Sequence, residues 1–193
     1  MGAIMYLAHH GIKGQKWGVR RFQNPDGSYT EEGKRRNVYR NRARNAYKTK
    51  KDMDYLYNKM SDKDKYLLMD DEYRKEWLTL EEGSAVVKRV IKKVGNEPVA
   101  AMDIIDVGNS NHAIAIMTDP NQRGHGYATE VAKKGLEWYE KNKDKIGSKS
   151  LSWDPYADNK PSRQLAEKLG FEYDDKESDD TYAKYYYKNR RNG

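Results

Sequence analysis

Residues 113–128 constrain the fold of this chain more than any other stretch. They read AIAIMTDPNQRGHGYA: an apolar run, a turn that contains Gly124 and Gly126, and directly after it the start of a helical pattern. A short apolar run that ends in turn residues is typical of a buried strand, and glycines in the turn let bare backbone approach a ligand. Because a helix start presents free N–H groups and a positive dipole end, the stretch predicts a strand–loop–helix unit that binds phosphate.

The residues on either side of this unit form an α+β pattern. Three apolar or alternating runs, at about 84–92, 98–107 and 112–118, are joined by short turns and predict an antiparallel meander. After the helix that follows the glycine turn come a short strand, a second helix that begins at Asn159 and ends at Gly170, and two strands, the last of them aromatic at 181–188. We therefore expect a mixed, mainly antiparallel sheet flanked by helices.

Basic residues are concentrated in the N-terminal third of the chain. Residues 1–60 hold 14 Lys and Arg residues against 5 Asp and Glu residues, whereas the rest of the chain has a small excess of acidic residues. The apolar spacing in this third predicts a basic helix at 30–59. Such a helix suits a polyanion such as a nucleic acid, and it equally suits an ordinary solvated helix face.

Composition excludes several classes of function. The chain has 193 residues and no cysteine, which excludes a thiol nucleophile, a disulfide framework and a thiolate metal site. No apolar run approaches the ~20 residues that a membrane-spanning helix needs. The adjacent His9 and His10 lack the further ligands that a metal site requires. We therefore expect no metal and no membrane partner.

Two motifs in this pattern resemble the signatures of the GNAT N-acetyltransferases. Arg123-Gly124-His125-Gly126-Tyr127-Ala128 is similar to their Arg/Gln-x-x-Gly-x-Gly/Ala pyrophosphate loop. Residues 159–171, NKPSRQLAEKLGF, are similar to their Asn-x-x-Ser…Glu-Lys-x-Gly-Phe signature. Two signatures in the family's order, about 30 residues apart, are far more specific than a single glycine turn. The resemblance covers about 84–188 and implies a GNAT-like fold that carries a basic N-terminal helical extension.

The resemblance implies acetyl-CoA as cofactor and assigns residues to each part of it. The backbone of Ile116, Met117 and Thr118 would hold the thioester and the pantetheine arm. The pyrophosphate would bind to the amides of the loop, namely Arg123, Gly124, His125, Gly126, Tyr127 and Ala128. Asn159 and Ser162 would contact the arm or its phosphates. A helix start offers up to four unpaired N–H groups, as a pyrophosphate requires.

The implied activity is transfer of an acetyl group from acetyl-CoA to a primary amine of a small molecule or a protein. This chemistry needs a base for the amine, a donor for the carbonyl oxygen and an acid for the leaving thiolate. Asp154 is the first candidate base, with a carboxylate that caps a turn at Pro155 as the alternative reading, and Asp119 is a further candidate base. Ala166 stands where many family members carry a tyrosine acid, so the acid would be Tyr156, another tyrosine or water.

The N-terminal segment has a resemblance of its own. Residues 10–28, HGIKGQKWGVRRFQNPDGS, resemble a segment of bacteriophage and prophage proteins, often head-associated ones. This implies a location in the cytoplasm of a bacterial host cell or in the virion, with phage head proteins or nucleic acid as partners of residues 1–60. We expect an irregular phage-type segment at 1–35, a basic helix at 36–60 and an acetyltransferase domain at 61–193. The alternative function is a non-catalytic phage structural or packaging protein that retains the fold.

Overall fold

The structure is a computed structural model that describes residues 22–68 and 85–188. Most of the phage-like segment, with His9 and His10, therefore lies outside the described residues. The chain divides into two compact units, Met1–Asn45 and Ala46–Gly193, and the boundary lies inside helix α1 (Glu31–Lys59). The expected limits of the three regions stay predictions.

In the first unit, a tight turn leads the chain into α1. Asp26 accepts hydrogen bonds from both the backbone and the side chain of Ser28, and Gly27 between them has φ +83°, which a residue with a side chain rarely adopts. The Oγ1 of Thr30 then accepts a hydrogen bond from the N–H of Gly33 and caps the helix. The helix thus begins at Glu31, next to the start that the apolar spacing predicts.

The second unit contains one six-stranded sheet. In chain order the strands are β1 (Val86–Val94), β2 (Glu97–Gly108), β3 (Asn111–Thr118), β4 (Ser150–Trp153), β5 (Phe171–Tyr173) and β6 (Tyr185–Tyr187). Across the sheet their order is β1-β2-β3-β4-β6-β5, and all neighbours are antiparallel except β3 and β4. This parallel pair is joined by a crossover that contains a 3₁₀ turn (Pro120–Gln122) and a helix that we label α3 (Tyr127–Asn142). The expected α+β fold is confirmed.

Side chains of β2 alternate between two cores, one on each face of the sheet. Met102 and Ile104 lie in the larger core with Tyr139 of α3 and Ala166 of helix α4 (Lys160–Lys168). The smaller core, on the other face, joins β1–β3 to the C-terminal part of α1 and the residue that follows it. Its buried members are Met53, Leu56, Met60, Val86, Ala101, Ala115 and Met117.

The aromatic final strand is shorter than its predicted range of 181–188. Tyr182 lies outside β6 and forms an isolated bridge with Tyr156, because the chain before β6 pairs with the loop that follows β4.

Between α1 and β1 in the chain, a short helix α2 (Asp62–Leu68) is capped by the Oγ of Ser61. None of the helices in the described part of the chain is long and apolar enough to cross a membrane.

Candidate cofactor and active site

A gap opens in the sheet where β3 and β4 separate. Their pairing ends at Ala113 and Ser152, but β3 continues to Thr118. A cavity of about 790 Å³ lies at this gap. Its walls include Ile114, Ile116 and Thr118 on one side and Trp153, Asp154 and Pro155 on the other. Among the described residues, β3 has no strand partner on this side beyond Ala113, so its backbone can bond to an extended ligand.

The glycine loop forms another wall of the cavity. Gly124 and Gly126 have φ values of +83° and +78°, and Gly126 is the residue from which α3 begins. The first hydrogen bond of the helix runs from the N–H of Glu130 to the carbonyl of Gly126, so the N–H groups before Glu130 lack intrahelical partners. No atom lies within 4 Å of the place where a Cβ would stand at either glycine. The loop therefore presents donors into open space, as a pyrophosphate site requires.

Most of the predicted site residues line this cavity. They are Ile116, Thr118, Arg123, Gly124, Gly126, Ala128, Asp154, Asn159 and Ser162. Met117 turns its side chain into the smaller core, and His125 lies over Tyr127 with the ring centroids 5.6 Å apart. For Met117, His125 and Tyr127 the predicted role belongs to the backbone, and it stays a prediction.

The start of α4 is organised by its own cap. The Oδ1 of Asn159 accepts a hydrogen bond from the N–H of Ser162, which fixes the first turn of the helix against the cavity. Asn159 thus has a structural role as well as a place on the wall. The sequence predicts this helix start correctly, because a cap and its helix lie within a few residues of each other.

Arg123 of the loop is held by a residue from α2. Its Nη2 donates to the Oδ1 of Asp64 at 2.6 Å, and the other carboxylate oxygen of Asp64 accepts from the hydroxyl of Ser61 at 2.7 Å. Burial opposes ionisation of Asp64, but the hydrogen bonds from Ser61 and Arg123 and the guanidinium charge outweigh burial and lower the pKa of this carboxyl. The ion pair ties the glycine loop to α2 beside the cavity.

Sequence reasoning missed the wall that the junction of α1 and α2 contributes. Its residues are Met60, Ser61, Lys63 and Asp64. The helix cap at Ser61 is visible in the sequence, but a cap does not show where the helix lies relative to the sheet. That position is set by packing of Met60 in the smaller core, a contact between residues distant in the chain.

Asp154 lies on the cavity wall, and its carboxylate already has a partner. Its Oδ2 accepts from the Nζ of Lys184 at 2.7 Å and from the hydroxyl of Ser152 at 3.4 Å. The side chains of Asp154 and Lys184 are 34% and 24% exposed. Asp154 can therefore reach both the cavity and an ammonium group, which is the geometry that a base for an amine requires.

The other catalytic candidates have structural positions. Asp119 is buried, and its Oδ1 accepts from the N–H of Asn121 to cap the 3₁₀ turn. Tyr156 is buried, accepts a hydrogen bond from the hydroxyl of Tyr182, and is not among the residues that line the cavity. Ala166 is fully buried in the larger core. These positions argue against Asp119 as base and Tyr156 as acid.

Residues 22–68 and 85–188 contain no group of three or more side chains suited to a metal ion.

Comparison with known families identifies the class of protein. A family model described as an acetyltransferase (GNAT) domain matches residues 16–172. The chain therefore belongs to the GNAT acetyltransferase family, whose cofactor is acetyl-CoA. A second model, of a family of unknown function, matches residues 5–24. No curated protein matches the chain.

Solved structures show the same fold. A point mutant of spermidine N-acetyltransferase SpeG from Vibrio cholerae has a TM-score of 0.53 and 13% identity, covering 72% of this chain and 90% of that one. The GNAT domain of PAT from S. lividans has a TM-score of 0.50 and 15% identity, covering 68% of this chain and 81% of that one. At such low identity these neighbours support the GNAT fold alone.

Proposed function

We propose that this protein transfers the acetyl group of acetyl-CoA to a primary amine. The observation that carries the proposal is the combination of a free β3 edge with an open glycine loop at the start of α3. Coenzyme A is a long, extended arm that ends in phosphates, so its site needs a groove lined by backbone groups and a cluster of N–H donors beside it. The cavity between β3, β4 and the loop has both.

In this proposal the chain's residues divide into two binding groups. The backbone of Ile116, Met117 and Thr118 pairs with the pantetheine arm, and Ser162 contacts the arm from the side of α4. The amides of residues 123–128 bind the pyrophosphate. Lys63 adds positive charge on the cavity wall, where Asp64 neutralises the charge of Arg123. When bound, acetyl-CoA supplies an activated thioester.

In the chemical step, a side chain of this protein takes part in one proton transfer. Asp154 accepts a proton from the acceptor ammonium, which takes the place of Lys184 against the carboxylate. Alternate N–H groups on the free edge of β3 are suited to polarise the carbonyl oxygen under attack, because they are held in place before the reaction begins. The Asp154 carboxylate is thus the side chain on which turnover depends.

The test measures binding and transfer separately. We expect saturable binding of acetyl-CoA in a calorimeter, and release of free thiol when a primary amine is present. Asp154→Asn should lower thiol release by about 10²–10⁴-fold, the range for loss of a general base, and leave acetyl-CoA affinity unchanged. A chain that does not bind acetyl-CoA would refute the proposal.

The alternative is a non-catalytic protein that retains the fold. Two observations favour it: Ala166 has no hydroxyl, and the Asp154 carboxylate is already paired with Lys184. In this case acetyl-CoA would bind, but thiol release would stay at background for every amine. Asp154→Ala would not change that background rate. The phage origin and the location in a bacterial cytoplasm or virion stay predictions.

Binding of nucleic acid or phage head proteins by residues 1–60 also stays a prediction. Removing the whole segment would remove Met53 and Leu56 from the smaller core, so charge neutralisation is the better test. If α1 binds nucleic acid, changing the exposed Arg35, Arg40 and Arg44 to Gln should weaken binding and flatten its dependence on salt.

A further inference from the structure

The sheet brings Lys184 and Asp154 together. Strands β4 and β6 are antiparallel, with Trp153 opposite Tyr185. In this register, the residues that follow β4 and precede β6 also face each other, and these are Asp154 and Lys184. Their ion pair therefore results from the strand pairing that builds the sheet.

The ammonium group of Lys184 occupies a defined place. Its Nζ lies 2.7 Å from the Oδ2 of Asp154 and 5.6 Å from the ring centroid of Tyr186. A carboxylate and an aromatic face are the partners that a primary ammonium prefers. The hydroxyl of Tyr186 donates to Glu177 at 2.7 Å, and this hydrogen bond, with burial, raises the pKa of Tyr186 to about 12.

Asp154 connects this ammonium to the cofactor cavity. The carboxylate lines the cavity at the gap between β3 and β4, and the same carboxylate holds Lys184 on the next strand across the sheet. Neighbouring strands are only about 5 Å apart. Lys184 itself does not line the cavity, but the carboxylate that it contacts does. Lys184 thus combines three features of an acceptor: a primary amine, a carboxylate in contact with it, and a position one side chain away from the cavity.

We propose that Lys184 is an acetylation site of the protein itself, modified in the same molecule from bound acetyl-CoA. This inference rests on the proposed function, because it uses the same cofactor and the same base. Asp154 takes a proton from Nζ, and the freed nitrogen lone pair forms a bond to the thioester carbonyl carbon. The carbon–sulfur bond breaks, the thiolate takes up the proton held by Asp154, and the nitrogen loses its second proton to water. The products are Nε-acetyl-lysine, free coenzyme A and one released proton.

The test compares Lys184 with a matched lysine of the same chain. Lys143, in the turn after α3, pairs with Glu140 at 2.8 Å and is 19% exposed, close to the values for Lys184. Neither lysine lines the cavity, but the carboxylate partner of Lys184 does and that of Lys143 does not. The full chain is incubated with acetyl-CoA, and acetylation at both lysines is followed over time by mass spectrometry of a digest made with a protease that cleaves at acidic residues.

We expect Lys184 to be acetylated at least about tenfold faster than Lys143, because the reacting groups are held together. The rate per molecule should not depend on protein concentration. Asp154→Asn should reduce the Lys184 rate to the Lys143 rate, whereas Glu140→Gln should leave the Lys184 rate unchanged. Urea-unfolded protein should show no difference between the two lysines.

Four results would overturn the inference. Equal rates at Lys184 and Lys143 would mean ordinary chemical acetylation, and a rate that rises with protein concentration would mean transfer between molecules. Binding of acetyl-CoA and thiol release with an added amine, without modification of Lys184, would refute the inference and leave the proposed function intact. Absence of acetyl-CoA binding would refute both.

Discussion

Gly126 and Gly95 have similar backbone conformations, but only Gly126 begins a helix. Their φ values are +78° and +58°, and neither has an atom within 4 Å of the place where a Cβ would stand. Alanine at either position is strained by about 1–2 kcal/mol. At Gly126 alone, relief of this strain would turn N–H groups away from the proposed pyrophosphate site. Gly126→Ala should therefore weaken acetyl-CoA binding about tenfold, equivalent to about 1.4 kcal/mol, as measured by calorimetry.

Gly95→Ala is the control for this change. It should lower the melting temperature to a similar extent and leave acetyl-CoA affinity unaltered. Equal affinity in the two variants would contradict a role for the loop in binding.

Arg89 and Asp103 form an ion pair inside the sheet. The Nε and Nη2 of Arg89 donate to the two carboxylate oxygens of Asp103 at 2.7 and 2.5 Å, and both side chains are almost fully buried. Asp103→Ala leaves a buried guanidinium without this carboxylate, and we expect a loss of about 3–5 kcal/mol in the free energy of unfolding. Urea denaturation measures the loss.

A surface ion pair of similar length is the control for this prediction. Lys50 lies 2.6 Å from Asp54, and their side chains are 52% and 41% exposed. Asp54→Ala should cost about 0–1 kcal/mol, because water screens and replaces the interaction. If the two alanine variants lost equal stability, burial would not determine the contribution of the Arg89–Asp103 pair.

At the scale of elements, α3 packs on β2 through a residue that has no side chain. A Cβ added to Gly135 would overlap the Sδ of Met102, which is completely buried. In a helix interior, alanine is more favourable than glycine by about 1 kcal/mol. Overpacking of a buried contact, however, costs about 1–3 kcal/mol. The difference between these two terms predicts that Gly135→Ala destabilises the protein by up to about 2 kcal/mol in urea denaturation.

A double-mutant cycle separates this clash from other effects. With Met102→Ala in the background, Gly135→Ala should cost less than it does alone, because the space in front of the helix is free. Lys133→Ala on the exposed side of the same helix should change stability by less than about 0.5 kcal/mol. Additive losses at positions 135 and 102 would contradict close packing of α3 against β2.

Elements with a local signal could be predicted from the sequence. The meander β1–β3, helix α3 and the Asn159 cap depend on periodicity or spacing within a few residues, and the structure places each of them where the pattern does. The three-residue strand β5 is too short for alternation to be visible. The pair of Lys184 with Asp154 depends on the register between β4 and β6, which no local pattern reveals.

At the scale of the molecule, the cavity exists only because separate parts of the second unit meet. The junction of α1 and α2, the glycine loop, the end of β4 and the start of α4 each contribute one wall. The two sequence motifs specify the loop and the α4 wall. The other walls follow from burial of the smaller core and from the early end of β4, and both are properties of the whole sheet.

The stability of the second unit as a whole is linked to pH through His112. This residue is buried in β3 where β3 pairs with β4, and its Nδ1 lies 2.8 Å from the hydroxyl of Ser148, which in turn lies 2.8 Å from that of Tyr139. Burial lowers the pKa of His112, and the nearby Asp106 only partly opposes this. The folded protein therefore keeps the ring neutral under conditions in which the unfolded chain would protonate it.

The sign of the effect follows from proton binding. Below the unfolded pKa of about 6.5, the unfolded chain binds a proton that the folded chain resists, so the free energy of unfolding decreases as the pH falls toward the lowered folded pKa. Above the unfolded pKa the contribution is complete. Urea denaturation at about pH 7 and about pH 5 should show a smaller pH-dependent loss in His112→Gln than in the wild type. The exposed His125 is the control, and His125→Gln should keep the wild-type dependence. If His112→Gln also kept the wild-type pH dependence of the free energy of unfolding, His112 would not be the group that links stability to pH.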